Sequence, residues 1–377
     1  MRKLFKPGLV VLQLLYATYN LSAQGCVAIR GNSGSGNFGN SVNLMAGEFN
    51  FQTGFRYFKS FRHFRGDHEE ANRVEEGTNV INHSEFLNFS ISYGITDRLY
   101  ADLIIPYVWN TRSSLYEHGG NSLGDRHETS SQGVGDFRAV LGYWLFKPGT
   151  KKFNYSVGLG LKLPTGKYNY TDTFYNQGPN KDQNTEGVVD QSIQPGDGGK
   201  GFTVDIQGYH ELSDHFGLSV NVYYLFNVTE TNGVLTRNGR SEFSSPDQFA
   251  ARLGTYYNSL SGFNAYLGGR IEGVPSNDLI GGSAGYRRPG YAVSLEPGIG
   301  YFKHNYSVFA SVPIALYRNR TQSYEDKQRT EQTGNYTIGD AAFADYLINI
   351  GFSYRFMNKR MDKKPPKIDL NFNKTQP

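Results

Sequence analysis

Arg252 and Arg270 stand almost equally far from the short segment Ser259-Leu260, and Glu296 follows one alternating run later. If those runs fold back on one another, the two guanidinium groups become neighbours and the carboxylate bridges them. Charged groups facing each other across a confined space do the chemistry of ion selection, because rings of one sign admit or reject charged solutes. The same alternation places Glu48, Asp102, Asp136, Asp205, Glu272 and Asp345 on one face with Arg56, Arg138, Lys162 and Arg355. The two signs nearly balance, which predicts a narrow, charge-paired interior. Glu48 is expected to meet Arg355 where the first and last runs join. Lys162 and Asp205 are expected together near the outer ends of neighbouring runs. Such pairs hold an interior rigid and solvated, or guide a solute.

Metal and catalytic chemistry have weaker signals. Asp182, Asn184, Glu186 and Asp190 place oxygen ligands at positions one, three, five and nine of a calcium-type loop, with Gly187 at position six. Ile193 occupies the place of the bidentate Glu, and flanking helices are not evident. A lid or constriction over a mouth is the better reading of the 166–200 segment. Gly196-Asp197-Gly198-Gly199 has no helix behind it to make a phosphate cradle. A lipid hydrolase would need a Ser/His pair on an outer wall; His83 and His210 are the outward histidines, and no serine of matching height accompanies either. No metal-type His/Cys cluster is present, and no cofactor is expected.

The elements that must hold these groups are strands. About twelve alternating apolar/polar segments of roughly ten residues run from Ala46 to Phe356, the rhythm of a transmembrane antiparallel up-and-down β-barrel. Phe49, Phe51, Thr53, Phe55 and Tyr57 share one face, with Glu48, Asn50, Gln52, Gly54 and Arg56 on the other. Successive side chains of a strand point to opposite faces, so one set meets lipid and the other the lumen. Later strands are predicted near 98–110, 134–147, 152–165, 201–211, 214–228, 247–258, 262–273, 290–302, 305–318 and 343–356. Tyr107, Trp109, Tyr143, Phe146, Tyr224, Phe226, Tyr301 and Tyr354 face outward near strand ends and read as interfacial girdles. Tyr100, Trp144, Tyr209, Tyr223, Tyr256, Tyr266 and Phe309 face inward and fill or narrow the lumen.

Connections alternate in length. Tight turns at Gly94-Asp97, Lys147-Thr150, Leu212-Asp214, Asn258-Ser261 and Lys303-Asn305 belong to the periplasmic side, and the long polar loops to the outside. Both termini are then periplasmic. The domain reading is a signal peptide at 1–23, a lead-in at 24–45, the barrel at 46–356 and a polar periplasmic tail at 357–377. The leader carries Arg2, Lys3 and Lys6 before an apolar stretch and Leu21-Ser22-Ala23 as cleavage site. Cys26 is the only cysteine; Gln24 makes the segment before it a poor lipobox, so an ordinary thiol is preferred to a lipidated one.

Composition agrees. The 377 residues include 45 Gly, 27 Tyr and 26 Phe, yet mean hydropathy is −0.52. Half-lipid, half-water strands with hydrophilic loops reconcile abundant aromatics with low hydropathy. After the leader, no apolar run approaches the ~18 residues a spanning helix needs. A net charge of +4 without basic runs interleaved with aromatics argues against nucleic acid.

Four short motifs then occur in order: Ile95-Thr96-Asp97-Arg98-Leu99, Ile105-Pro106-Tyr107, Gly133-Val134-Gly135-Asp136 and Leu163-Pro164-Thr165-Gly166. From Ser90 to Phe302 the chain resembles the outer-membrane barrel family named for the meta-cleavage pathway of phenol degradation. The resemblance implies a transporter or channel, with aromatic or hydrophobic cargo. The combined expectation is an outer-membrane channel or uptake porter for small molecules in a Gram-negative bacterium. Its partners would be outer-membrane lipid, the barrel-assembly machinery that reads the terminal aromatic strand, and the cargo; oligomeric state is left open. The alternatives are a largely closed barrel whose loops bind a partner or substrate, and the lipid hydrolase.

Overall fold

The structure, a computed structural model, describes residues 43–119 and 124–357. The leader, Cys26, most of the lead-in and nearly all of the tail lie outside the described residues. Twelve barrel strands run in order: β1 (Phe49–Arg65), β2 (Ile81–Gly94), β3 (Leu99–Ser114), β4 (His127–Val134 and Phe137–Trp144), β5 (Phe153–Leu163), β6 (Gly201–Glu211), β7 (Phe216–Asn227), β8 (Gln248–Asn258), β9 (Phe263–Val274), β10 (Gly290–Lys303), β11 (Tyr306–Ser311 and Ile314–Arg320) and β12 (Ala341–Phe356). Each pairs antiparallel with the next. β12 closes on β1, from Phe49↔Phe356 upward to Tyr57↔Ile348 without a shift.

The predicted alternation sets the two surfaces. On β12, Tyr346, Ile350, Phe352, Tyr354 and Phe356 are exposed, while Leu347, Asn349, Gly351 and Ser353 are buried. Leu159 and Leu161 on β5 are 63% and 62% exposed. Bare leucines repeated around the whole wall make sense only against hydrocarbon. No described helix is long and apolar enough to cross a membrane; the strands cross instead. The periplasmic links are tight. Two residues, His304 and Asn305, join the Lys303↔Tyr306 pair, with His304 in the left-handed region at φ 53°.

Several strands run longer than predicted. β4 begins at His127, and β1 and β3 reach Arg65 and Ser114. Those upper ends stand above the lipid, where both faces are polar and the alternation that marks a spanning strand disappears. Two strands break beside a proline, which has no N–H for the ladder: β4 at Gly135-Asp136, where Gly135 N donates to Pro106 O at 2.8 Å but Pro106 has no N–H to return, and β11 at Val312-Pro313. Above Ile314↔Tyr346 the ladder between β11 and β12 stops, although β11 stays paired to β10 as far as Arg320. Arg318 spans this seam, bonding Ala344 O at 3.0 Å and Asp345 Oδ1 at 2.7 Å. Arg62 reaches the same carboxylate at 2.6 Å. Asp345 was expected in the lumen. It sits instead in the seam, opposite shifts in β1 register around Ser60 that offset the alternation.

The longest connection, 166–200, makes an outer hairpin from Thr171–Gln177 and Gln183–Val188. It then turns back into the barrel, where Val189 and Ile193 are fully buried. Other outer loops carry the pair Thr231–Leu235 with Glu242–Ser244 and the helix Tyr324–Thr333. Ser323 and Asp326 form that helix's capping box.

Candidate functional site

The lumen is filled in layers. At the periplasmic end Tyr100, Trp144, Tyr209, Tyr256, Tyr266 and Phe309 form one buried cluster, none more than 6% exposed. Several lie flat on a glycine of the neighbouring strand: a Cβ at Gly142 would strike the Tyr100 ring, and one at Gly217 the Tyr256 ring. The glycines make room and the rings cover their bare backbone. A water-filled bore would leave its lining accessible, so the bore is filled at this level. Asn43 and Leu44 lie inside it. Asn43 Nδ2 donates to Tyr209 Oη at 3.0 Å. Arg355 holds Asn43 O at 2.6 Å and Glu48 Oε2 at 3.0 Å. Glu48 in turn accepts from Met45 N at 2.7 Å.

Above the rings lies a charge cluster. Arg252 and Arg270 are direct cross-strand partners. Glu296, with no exposed surface, stands 3.0 Å from Arg252 and 3.7 Å from Arg270. Arg270 also pairs with Glu272 at 2.5 Å. Arg56 reaches Glu272 across the bore at 3.7 Å and donates to Asn349 at 3.1 Å. Three guanidinium groups thus face two carboxylates. Arg252 lies 4.1 Å over the Tyr266 ring, which couples this cluster to the aromatic layer. On the opposite wall Arg138 lies 5.1 Å over Tyr223. Asp102 and Asp205 stand apart from the cluster, and Asp205 accepts from Thr203 at 2.9 Å.

Lys162 and Asp205 do not meet. Lys162 sits opposite Gly201, whereas Asp205 sits opposite Gly158. Four residues of strand separate them, about 13 Å. Lys162 pairs with Asp197 and, at 3.7 Å, with Asp136. Asp136 accepts from Gly166 N at 3.0 Å and Asp197 N at 3.1 Å. Thr165 Oγ1 donates to Gly135 O at 3.0 Å and accepts from Phe137 N at 2.9 Å. Gly166 and Gly196 pack so closely that a Cβ on either would strike the other's backbone. The Gly133–Asp136 and Leu163–Gly166 motifs therefore form a knot that ties both ends of the 166–200 loop into the barrel.

The proposed calcium ligands do not converge. Asp182 and Asn184 lie on the exposed hairpin, and Glu186 accepts from Thr173 at 2.6 Å. Asp190 is taken by Arg288 at 2.8 and 2.7 Å, with Arg112 at 3.7 Å. Although burial opposes ionisation, Arg112 and Arg288 hold its carboxyl far below the usual range. Among the described residues no group of three His, Cys, Asp or Glu is placed to hold a metal. His83 meets Tyr57 Oη at 3.0 Å rather than a serine, and His210 packs against Phe153.

Outside the bore the loops enclose two adjoining cavities of about 420 and 310 Å³. Tyr116, Glu117, Tyr286 and Arg288 border both. The larger is also lined by Phe174, Phe243 and Arg237, and the smaller by Arg73, Arg112, Arg287 and Arg320. Burial pushes the Tyr286 phenol up to about 12. Sequence reasoning missed this vestibule, because its residues come from separate loops with no periodicity to mark them.

The fold matches the crystal structure of the COG4313 outer membrane channel from Pseudomonas putida F1. The TM-score is 0.54 at 14% identity, over 85% of this chain and 99% of that one. A CymD monoaromatic hydrocarbon channel aligns with TM-score 0.43 and 12% identity, over 90% of this chain and 98% of that one. A search of curated proteins returns no match. The likeness to the first structure establishes the fold as that of an outer-membrane β-barrel. Residues 70–188 match the family described as "Putative MetA-pathway of phenol degradation", the family that the turn and strand-end motifs resemble.

Proposed function

We propose that this chain is an outer-membrane channel of the gated type. It takes small organic solutes from the outer vestibule and passes them along a narrow charged lumen when the filled layers give way. The observation that carries this reading is a closed wall around a bore that holds, above its aromatic layer, a buried layer of arginine and glutamate. Burying such pairs confers little or no stability over apolar packing, so a barrel serving only as a scaffold gains nothing from them. They suit a path that solutes and water must traverse. The family description supports aromatic compounds as cargo. The surplus guanidinium at the charge cluster makes Arg252, Arg270 and Glu296 the filter of this path and favours anions mildly. The filled bore favours one second reading, a closed barrel whose loops bind a partner or substrate.

Planar-bilayer recording in a salt gradient, with uptake into proteoliposomes, separates the two. The channel reading expects no steady large conductance but brief small openings, and aromatic uptake above that of protein-free vesicles. Uptake equal to protein-free vesicles, from barrels shown to be folded, overturns it. Neutralising Arg252 and Arg270 together shifts reversal potential if they form the filter; an unchanged potential removes that role.

A further inference from the structure

The vestibule has two chemistries in one space. On one side Tyr116 and Tyr286 present rings to a cavity of about 420 Å³, backed by the buried rings of Phe174 and Phe243, within the roughly 300–1,000 Å³ typical of small-molecule sites. On the other side arginines predominate. Their charges are largely accounted for: Arg112 and Arg288 share Asp190, Arg112 also holds Glu117 at 2.9 Å, and Arg287 pairs with Asp278 at 2.6 Å. Arg237 differs. Its guanidinium lies 4.2 Å over the Phe174 ring. It donates to Glu117 O at 2.7 Å and to Gln177 Oε1. Both acceptors are neutral, and among the described residues no carboxylate forms an ion pair with it. Two of the five N–H donors of the fork are used. Neutral acceptors and a ring fix the cation in position at the cavity wall, where the Glu117 carboxylate acts on it through space without forming an ion pair.

We propose that this vestibule is a binding site for small aromatic carboxylates. The ligand ring packs against Tyr116 and Tyr286 above the buried Phe174 and Phe243, and its carboxylate pairs with Arg237. A neutral hydrocarbon would use the rings and leave Arg237 partly desolvated with no direct ion-pair partner. A bare inorganic anion would use the guanidinium and leave the rings wet. A carboxylate on a benzene ring satisfies both at once, and the delocalised fork of arginine matches its two oxygens. The protonated Tyr286 phenol supplies a further donor at neutral pH. The inference rests on the channel reading only for its purpose, since the site takes solute for the lumen below; binding itself does not depend on conduction.

Isothermal titration of the purified, detergent-solubilised full chain with benzoate, benzyl alcohol and acetate tests it. Benzoate is expected to bind saturably, and at least ten-fold more tightly than either of the others. Arg237→Gln should weaken benzoate at least ten-fold and leave benzyl alcohol unchanged, with barrel folding checked by heat-dependent gel mobility. Tyr116→Leu, which leaves the Phe174 ring under Arg237, should weaken benzoate and benzyl alcohol alike. Equal binding of benzoate and benzyl alcohol, or of benzoate and acetate, overturns the proposal, as does full affinity in a folded Arg237→Gln protein. Proteoliposome uptake separates the two readings. Binding without uptake retires the channel and keeps the site. Uptake without saturable benzoate binding retires the site and keeps the channel.

Discussion

Replacing Glu296 with Gln tests whether the charge cluster is a dry network or a hydrated lining. The amide keeps the shape and an acceptor for Ser311 Oγ, which donates to Oε1 at 2.7 Å. Only the charge is removed. Three guanidinium groups then face one carboxylate, and Arg252, 3.0 Å away, loses its ion-pair partner. Glu296 has no exposed surface, so solvent does little to screen the loss. Removing one member of a buried pair costs about 3–5 kcal/mol. With a urea slope of about 2 kcal/mol/M, the unfolding midpoint falls by about 1.5–2.5 M. The assay is reversible urea unfolding in lipid vesicles, followed by the emission of the two tryptophans. Trp144 reports the aromatic layer that Arg252 touches through Tyr266. Adding Arg252→Met to Glu296→Gln lowers the surplus charge again and should return part of the loss, with a coupling of about 0.5–3 kcal/mol. A Glu296→Gln protein with unchanged midpoint and slope would refute the reasoning, because the cluster would then be screened by lumen water.

Three further outcomes follow from the geometry. Glu48→Gln with Arg355→Met removes the grip on Asn43 and Met45; bilayer recordings should show more frequent openings than wild type, and an unchanged opening rate would mean this segment does not limit conduction. Asp136→Asn weakens the knot under the 166–200 loop, so trypsin should cut at Lys167 or Lys181 several-fold faster, whereas unaltered digestion would show the loop held from elsewhere. His118 is fully buried, and burial first, then His127 and Arg237, pushes its ring down to about 4. Its Nδ1 accepts from Tyr175 N at 3.1 Å and loses that role on protonation. The unfolded ring titrates near 6.5, so between pH ~6.5 and ~4 the released loop binds a proton that the docked one excludes. Docking of the Thr171–Val188 hairpin is therefore complete above pH 6.5 and weakens as pH falls toward 4. Hydrogen exchange of that hairpin checks it, and equal protection at pH 7 and 4.5 would count against it.

Much of the wall was legible because a membrane barrel writes its pattern locally. Each residue of a spanning strand meets lipid or lumen by parity alone, so Phe352 and Asn349 declare their faces without knowledge of their neighbours. Counting from a tight turn fixes register too, which is why Arg252 and Arg270 could be paired from their distances to Ser259-Leu260. The same counting failed for Lys162 and Asp205, which are joined by the 166–200 loop. A long loop carries no register, and there the partner came from the loop itself, as Asp197. It failed again for Asp345, where shifts near Ser60 offset the parity of an otherwise regular strand.

Parity of twelve strands, the alternation of short and long links and the inward set of rings and charges are thus properties of the sequence by itself, since they depend on contacts a few residues apart. Filling of the bore, commitment of Asp190 to Arg112 and Arg288 instead of a cation, the seam above Ile314 and the outer vestibule were decided only by tertiary structure. Tyr116, Phe174, Arg237 and Tyr286 come from four separate stretches of loop. No spacing rule links them, and only closure of the barrel brings those loops over one mouth.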